Sequence, residues 1–390
     1  MAWATRGAVR IALVHYTSLP VIAGVEMVMA EHARLFREAG HEVVVVADVD
    51  AGAEDRVSEQ AAERLVTRLR PIFARQDVVI LHNVMTMHFH LALTVAVLRL
   101  TEELREVRFI CWIHDLAACN PDYAGILRLE REIWPLLTRA HPRFDYVAVS
   151  ELRRRQFAEL TGEPLERCRV IPNGVEPAAL LDLPPLLGTV AETSALLLTR
   201  DVVLLHPTRL LRRKNIELTL AVTAEINARG RSCACLITAP PDVQNRAMQE
   251  YRDELTYLVQ TLGLEDSAFF LDDRGPLDID DMRALFAVAD VLFFPSRQEG
   301  FGLPLLEAAL YRLPIFCSDI EPLNTLLAHG TTTFSLDASP DEIATLILRV
   351  LDADSAFAAR KETLRTYSWD AIYRNFLSPL LSETETPRRL

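Results

Sequence analysis

Basic residues are in deficit. The 390-residue chain carries 41 Lys+Arg against 54 Asp+Glu, a formal net charge of −13. A net-acidic chain is a poor general binder of polyanions, so no nucleic-acid partner is expected, and any association with a membrane is peripheral at most. Cysteine is sparse. The six (Cys111, Cys119, Cys168, Cys233, Cys235, Cys317) form no CxxC pair, which excludes a disulfide scaffold and a zinc ribbon. Long apolar runs are missing too. Leu91–Leu98 is too short to span a bilayer, and MAWATRGAVRIALV has no apolar h-region after its basic residue. It reads as a short tail leading into a strand. No repeat of solenoid length is present. These absences predict a soluble chain in a reducing, cytoplasmic compartment. What remains is globular: 50% hydrophobic, 24% charged, and long enough for two domains.

Apolar runs alternate with amphipathic stretches along the length. Strands are predicted at Val9–His15, Glu42–Ala47, Asp77–Leu81, Arg108–Ile113 and Asp145–Val149, with a helix over Val25–Ala39 stopped by Gly40. The pattern breaks over 178–198, where Pro184, Pro185 and Gly188 mark a linker. It then restarts: strands at Val202–His206, Ser232–Thr238, Ala268–Leu271, Val291–Pro295 and Pro314–Cys317, with helices between them. Continuous apolar strands separated by helices predict parallel sheets covered on both faces. The division is therefore an N-terminal domain over 1–177, the linker, a C-terminal domain over 199–365 and a final helical segment over 366–390. Two such sheets predict a ligand cleft at the carboxyl ends of their strands. Cys233 and Cys235, two apart in an apolar run, read as core residues on one strand face.

The densest chemistry lies in VLFFPSRQEGFGLPLLE, Val291–Glu307. A buried strand runs into a loop holding Gly300 and Gly302. A helix follows, with Pro304 in its first turn, where proline is tolerated. Glycine allows close backbone approach, and the free N–H groups of a helix start favour an anion such as a diphosphate. Glu299 and Glu307 flank this device, and paired carboxylates suit a hydroxyl-rich ligand. A plain strand-to-helix turn with a capping carboxylate reads the same residues equally well. Arg209 and Lys214 frame a basic turn just past strand Val202–His206, with Arg212 and Arg213 between them. Asp278-Ile279-Asp280 precedes a helix and reads as a cap rather than a metal motif. His82, His88 and His90 follow a strand and are candidate acceptor contacts rather than metal ligands. Arg153–Arg155 reads as a solvated helix face.

EGFGLPLLE resembles the donor motif of the retaining family 4 glycosyltransferases of the GT-B fold. HPTRLLRRKN, VIPNGVE (Val170–Glu176), CWIHD (Cys111–Asp115) and AGVE (Ala23–Glu26) resemble further segments of that family, in its order. The resemblance implies an α/β GT-B fold: two Rossmann-like parallel-sheet domains facing a central cleft, with the last helix returning to the N-terminal domain. It implies that Glu299 binds donor-sugar hydroxyls, that the Gly300, Phe301, Gly302 and Leu303 backbone lines the sugar, and that Glu307 accepts from the ribose. Arg209 and Lys214 would hold the diphosphate. His114 would contact the sugar near the reacting carbon, with Asp115 to orient it, and Gly24 would open the first helix close to ligand. The chain departs from the family with Ala23 before Gly24 and Asn215 after Lys214, positions where the family often has glycine.

The implied function is transfer of a hexosyl group from a nucleoside-diphosphate sugar to an acceptor hydroxyl, with retention. No metal or other cofactor is expected. The alternatives are an epimerase or phosphorylase on the same fold and a non-catalytic sugar-nucleotide-binding chain. A dinucleotide oxidoreductase is disfavoured, because G-x-G-x-x-G is absent.

Overall fold

The computed structural model describes residues 7–17, 24–47, 59–123, 134–183, 199–239, 246–271 and 277–382. Ala23, the N-terminal tail to residue 6 and linker residues 184–198 lie outside them. The chain divides into two compact units. Unit 1 comprises Met1–Val175 and Tyr367–Leu390, and unit 2 comprises Glu176–Thr366.

Unit 1 holds strands β1 (Arg10–Val14), β2 (Glu42–Val46), β3 (Val78–His82), β4 (Arg108–Ile113), β5 (Phe144–Ala148) and β6 (Cys168–Val170). They form one parallel sheet in the order β2-β1-β3-β4-β5-β6. Alternate residues of a strand enter opposite faces. Ala12, Val14, Val79 and Leu81 accordingly join one apolar cluster, while Ile11, Leu13, Val78 and Ile80 join the other. Both faces are covered, which is why these strands read as continuous apolar runs. The Gly24–Glu38 helix ends as expected. Gly40 takes φ 86°, and His41 N donates to Phe36 O at 2.9 Å, closing the last turn.

Unit 2 repeats the plan with β7 (Val202–His206), β8 (Cys233–Ile237), β9 (Ala268–Phe270), β10 (Val291–Phe294), β11 (Ile315–Ser318) and β12 (Thr331–Phe334), in the order β12-β11-β10-β7-β8-β9. All its pairings are parallel. Cys233 and Cys235 lie on one strand face in one cluster, fully buried, and all six cysteines are free thiols. Two parallel α/β sheets are the expected fold class. The edge strands β6 and β12 are absent from the predicted set. They are only three and four residues long, and β12 (TTTF) is mostly half-exposed, so neither carries an apolar run.

The C-terminal helical segment is not one continuous helix. Ser368 caps a new turn, with Ala371 N donating to its Oγ at 3.2 Å, and the α-helix Trp369–Ile372 runs into a wider-pitched turn over Tyr373–Leu377. Trp369, Ile372, Tyr373 and Leu377 pack with Ile11, Leu13, Ile80 and Trp112. Gly174 of VIPNGVE lies under Trp369, where a Cβ would stand 2.6 Å from the indole. Backbone bonds from Val175 N to Tyr367 O (2.7 Å) and from Trp369 N to Val175 O (2.9 Å) clamp the two segments. Among the described residues no helix is long and apolar enough to cross a membrane.

Candidate functional site

In unit 2 the chemistry gathers where β7 and β10 end. After β7 the chain makes a short turn over Arg212–Lys214 and enters the Ile216–Ala228 helix. After β10 it forms the loop Pro295–Gly302 and enters the Leu303–Leu310 helix. Lys214 Nζ donates to Glu299 Oε1, and Ser296 Oγ donates to the same oxygen at 2.7 Å. Arg213 Nη1 stands 3.7 Å from Glu299 Oε2. The Lys214 and Glu299 side chains are 11% and 9% exposed, so their mutual attraction is only partly screened. A carboxylate offers about four lone-pair sites. Two are used on Oε1, and Oε2 keeps acceptor capacity for a hydroxyl. Lys214 uses one of its three N–H donors on Glu299, and its ammonium lies 5.0 Å from the centre of the Phe294 ring.

His206, fully buried at the end of β7, is itself held neutral. Burial first, and the Lys214 charge second, push its imidazole down to about 3. It shares a 2.8 Å hydrogen bond through Nδ1 with Thr219 Oγ1.

Gly302 takes φ 105° at the cap of the Leu303–Leu310 helix. The positive φ requires glycine, and a Cβ there would also push on Leu323 Cδ2 at 2.7 Å. Gly300 has open space around it, while Phe301 and Leu303 are exposed at 50% and 62%. Pro304 occupies the first turn, as expected. Glu307, one turn into this helix, is exposed and makes no side-chain hydrogen bond among the described residues. Arg209 is likewise exposed, and its guanidinium has no partner among them. The structure therefore joins Lys214 and Glu299 directly. Arg209 and Glu307 are left as free-standing charged groups. Arg213 and Ser296, which also touch Glu299, were not foreseen. Their only sequence signal was adjacency to Lys214 and Glu299.

In unit 1 the carboxyl ends of β1, β3 and β4 collect histidines. His114 follows β4, and its Nε2 shares a 3.0 Å hydrogen bond with Nδ1 of His82, the last residue of β3. His82 is fully buried, and its ring lies 5.4 Å from that of His32. His15 Nδ1 donates to the His82 carbonyl at 2.7 Å, while its Nε2 lies 3.7 Å from Glu26 Oε1. Burial is the leading cause that lowers the imidazole affinity for protons at His15, His32, His82 and His114. Asn83, at φ 59°, accepts from the backbone N–H of His114 (2.8 Å) and of Asp115 (3.0 Å), and so fixes the strand end.

Two expectations are corrected here. Asp115 does not orient His114. Its carboxylate is taken by Arg153 (2.9 Å), Asn120 (3.1 Å) and its neighbour's backbone at Leu116 (2.7 Å), and His82 holds the His114 ring instead. His82 is interior, and His90 is a buried helix cap accepting from Leu93 N, so neither stands free as an acceptor contact. Gly24 heads its helix with nothing within 4 Å of a notional Cβ, so no part of the described chain demands glycine there. Asp278 forms a capping box with Asp281, as read. Among the described residues no cluster of three or more His, Cys, Asp or Glu could hold a metal ion.

Residues 193–366 match the family model described as glycosyl transferases group 1, and residues 22–179 match that of Glycosyltransferase Family 4. The chain is similar to a D-inositol 3-phosphate glycosyltransferase of Corynebacterium glutamicum (strain R), 30% identical over 36% of this chain and 33% of that one. It is similar to an uncharacterised glycosyltransferase of Methanocaldococcus jannaschii, at 26% over 58% and 57%, and to the alpha-D-kanosaminyltransferase of Streptomyces kanamyceticus, at 25% over 38% and 36%. The matched parts span between about a third and somewhat over half of these relatives' lengths. Its two halves match the two domain models in the order that its motifs predicted, and the chain belongs to the group 1, family 4 glycosyltransferases.

Proposed function

We propose that this protein moves a hexosyl group from a nucleoside-diphosphate sugar to an acceptor hydroxyl, with retention and without a metal. The observation that carries this reading is the Lys214–Glu299 pair, nearly buried between the turn ahead of the Ile216–Ala228 helix and the loop ahead of the Leu303–Leu310 helix. A diphosphate needs cations and N–H donors, and a sugar needs acceptors for its hydroxyls. Lys214, Arg213 and the exposed Arg209 supply the first, and Glu299 Oε2 and Glu307 supply the second. The relatives' names, a D-inositol 3-phosphate glycosyltransferase and a kanosaminyltransferase, point to the same class of chemistry.

In the reaction, the bond between the anomeric carbon and the phosphate oxygen breaks. Its electron pair stays on the leaving diphosphate, whose negative charge grows. Lys214 and Arg209 stabilise that charge more in the transition state than in the bound donor, which lowers the barrier. The acceptor oxygen bonds the same face of the anomeric carbon, and its proton passes to the leaving phosphate oxygen. Glu299 orients the sugar by its hydroxyls. His114 contributes a neutral hydrogen-bonding group toward the sugar as part of the same proposal.

The test incubates the protein with UDP-, GDP- and ADP-hexoses and a mixture of acceptor polyols, with and without EDTA. Expected are nucleoside diphosphate release that needs an acceptor, an anomer matching the donor, and equal rates in EDTA. Loss of transfer in EDTA with recovery in magnesium would overturn metal independence. Turnover only with inorganic phosphate would make it a phosphorylase. Release with none of the donors would remove the proposal.

A further inference from the structure

The two loops that carry Lys214 and Glu299 come from separate stretches of chain, yet four hydrogen bonds besides the Lys214–Glu299 contact stitch them together. Arg297 N donates to Arg213 O at 2.7 Å, and Arg213 Nη1 donates to Gln298 O at 2.8 Å. The other two pass through one side chain. Asn215 Nδ2 donates to Pro295 O at 3.2 Å, and Asn215 Oδ1 accepts from Arg297 Nη2 at 3.0 Å. Its amide orientation has a single solution, because a carbonyl can only accept and a guanidinium can only donate. Asn215 is 3% exposed, so its amide would carry a full desolvation cost if either bond were lost. Its backbone sits at φ 56°, ψ 48°, a left-handed conformation that asparagine tolerates better than other residues bearing a Cβ. A glycine would serve the turn alone. The buried, doubly bonded amide is what asparagine adds.

We infer that Asn215 is a positioning residue that locks the cation-bearing turn to the carboxylate-bearing loop, so that Lys214 meets the diphosphate while Glu299 meets the sugar of the same donor. The inference rests on the proposed function for the ligand, but the stitch itself does not. Without it, each loop still binds its own part of the donor. The register between the two parts, on which reaction depends, is lost. Small errors of placement cost rate far more than affinity.

The experiment compares wild type, Asn215→Gly, Arg297→Met and the double variant. Glycine is at home at φ 56°, so Asn215→Gly retains the turn, and a circular dichroism melt verifies it. Kinetics use whichever of UDP-glucose, GDP-mannose or ADP-glucose is turned over, and calorimetry uses the matching diphosphate. Expected is a kcat at least tenfold lower in Asn215→Gly, with the diphosphate Kd within twofold of wild type. The double variant should be no worse than the poorer single one, because both singles break the Asn215–Arg297 link. Amide hydrogen exchange should rise together in 209–216 and 295–302. Wild-type kcat in Asn215→Gly overturns the inference, and so does an equal loss of kcat and diphosphate affinity. If wild type turns over none of the three donors, it is the proposed function that fails for them. Exchange then decides the stitch: joint loosening of both segments sustains it, and loosening of 209–216 alone overturns it.

Discussion

The two units share a six-stranded parallel sheet and a covering of helices, but they treat charge differently. At the carboxyl ends of its strands unit 1 gathers His15, His82 and His114, with His32 behind them, all depressed in proton affinity by burial. Unit 2 gathers Lys214, Arg213 and Glu299 around a single neutral imidazole, His206. It also buries an ion pair at the opposite edge, where Lys361 Nζ lies 2.6 Å from Asp290 Oδ2, at 7% and 0% side-chain exposure. One sheet edge therefore presents a cluster of neutral imidazoles, with Glu26 beside His15, and the other a lysine–carboxylate pair. The same scaffold can serve an uncharged ligand part and an anionic one, because the ligand chemistry resides in the residues just past the strands rather than in the sheet.

The largest effect expected from this contrast is on stability. Lys361→Ala leaves Asp290 buried with the Val203 N–H (2.8 Å) and with Arg360 only at 3.8 Å. Removing one partner of a buried pair costs about 3–5 kcal/mol. The loss should appear in unit 2 alone, as faster amide exchange in β7 and β10 with β1 and β3 unchanged. Equal loosening of both sheets would show that the units do not keep their own electrostatic ledgers.

Next in size is catalysis. Lys214→Ala removes the charge proposed to act on the leaving group, and turnover should fall about 100- to 1000-fold. His114→Ala removes the neutral hydrogen bond proposed to the sugar, and about tenfold is expected from a net value near 1 kcal/mol. Steady-state rates on the same donor compare the two. A His114 effect as large as that of Lys214 would end the assignment of neutral chemistry to unit 1.

Much of this architecture was legible in the sequence. Strands such as VVILH and CACLI declare burial on both faces by composition, and Gly40 and Asp278 announce helix ends through backbone chemistry that is local. Lys214 and Glu299 were legible as individual residues with family roles. Their direct contact was not, because it depends on how two loops 85 residues apart fold against each other. The displacement of Asp115 by His82 as the partner of His114 has the same origin. Asp115 is next in sequence, but its carboxylate is claimed by Arg153 from a helix a strand away, a competition that no spacing reveals. In the sequence Asn215 stands out only as a departure from glycine, and only the neighbouring loop shows what its amide bonds.

Acid separates the units in the opposite sense. A histidine whose folded pKa lies below its ordinary value near 6.5 contributes full stability above that value. The contribution is lost as pH falls, because the unfolded chain takes up the proton first. Burial holds His32 in unit 1 and His206 in unit 2 at about 3, and His15, His82 and His114 are also lowered. Each such imidazole costs up to about 1.4 kcal/mol for every pH unit below 6.5, until its folded pKa is reached. Unit 1 holds four of these groups at one sheet edge, with His41 and His141 lowered elsewhere in it, and unit 2 holds one. Between pH 7 and pH 4.5, amide exchange in β1, β3 and β4 should therefore accelerate well before exchange in β7 and β10. His32→Phe, which leaves a ring among the His82, Trp112 and Trp369 rings but no titrating group, should reduce the acid response of unit 1 by the share of one imidazole. An acid response that is equal in the two sheets, or unmoved by His32→Phe, would mean that the buried imidazoles do not set the pH limit of unit 1.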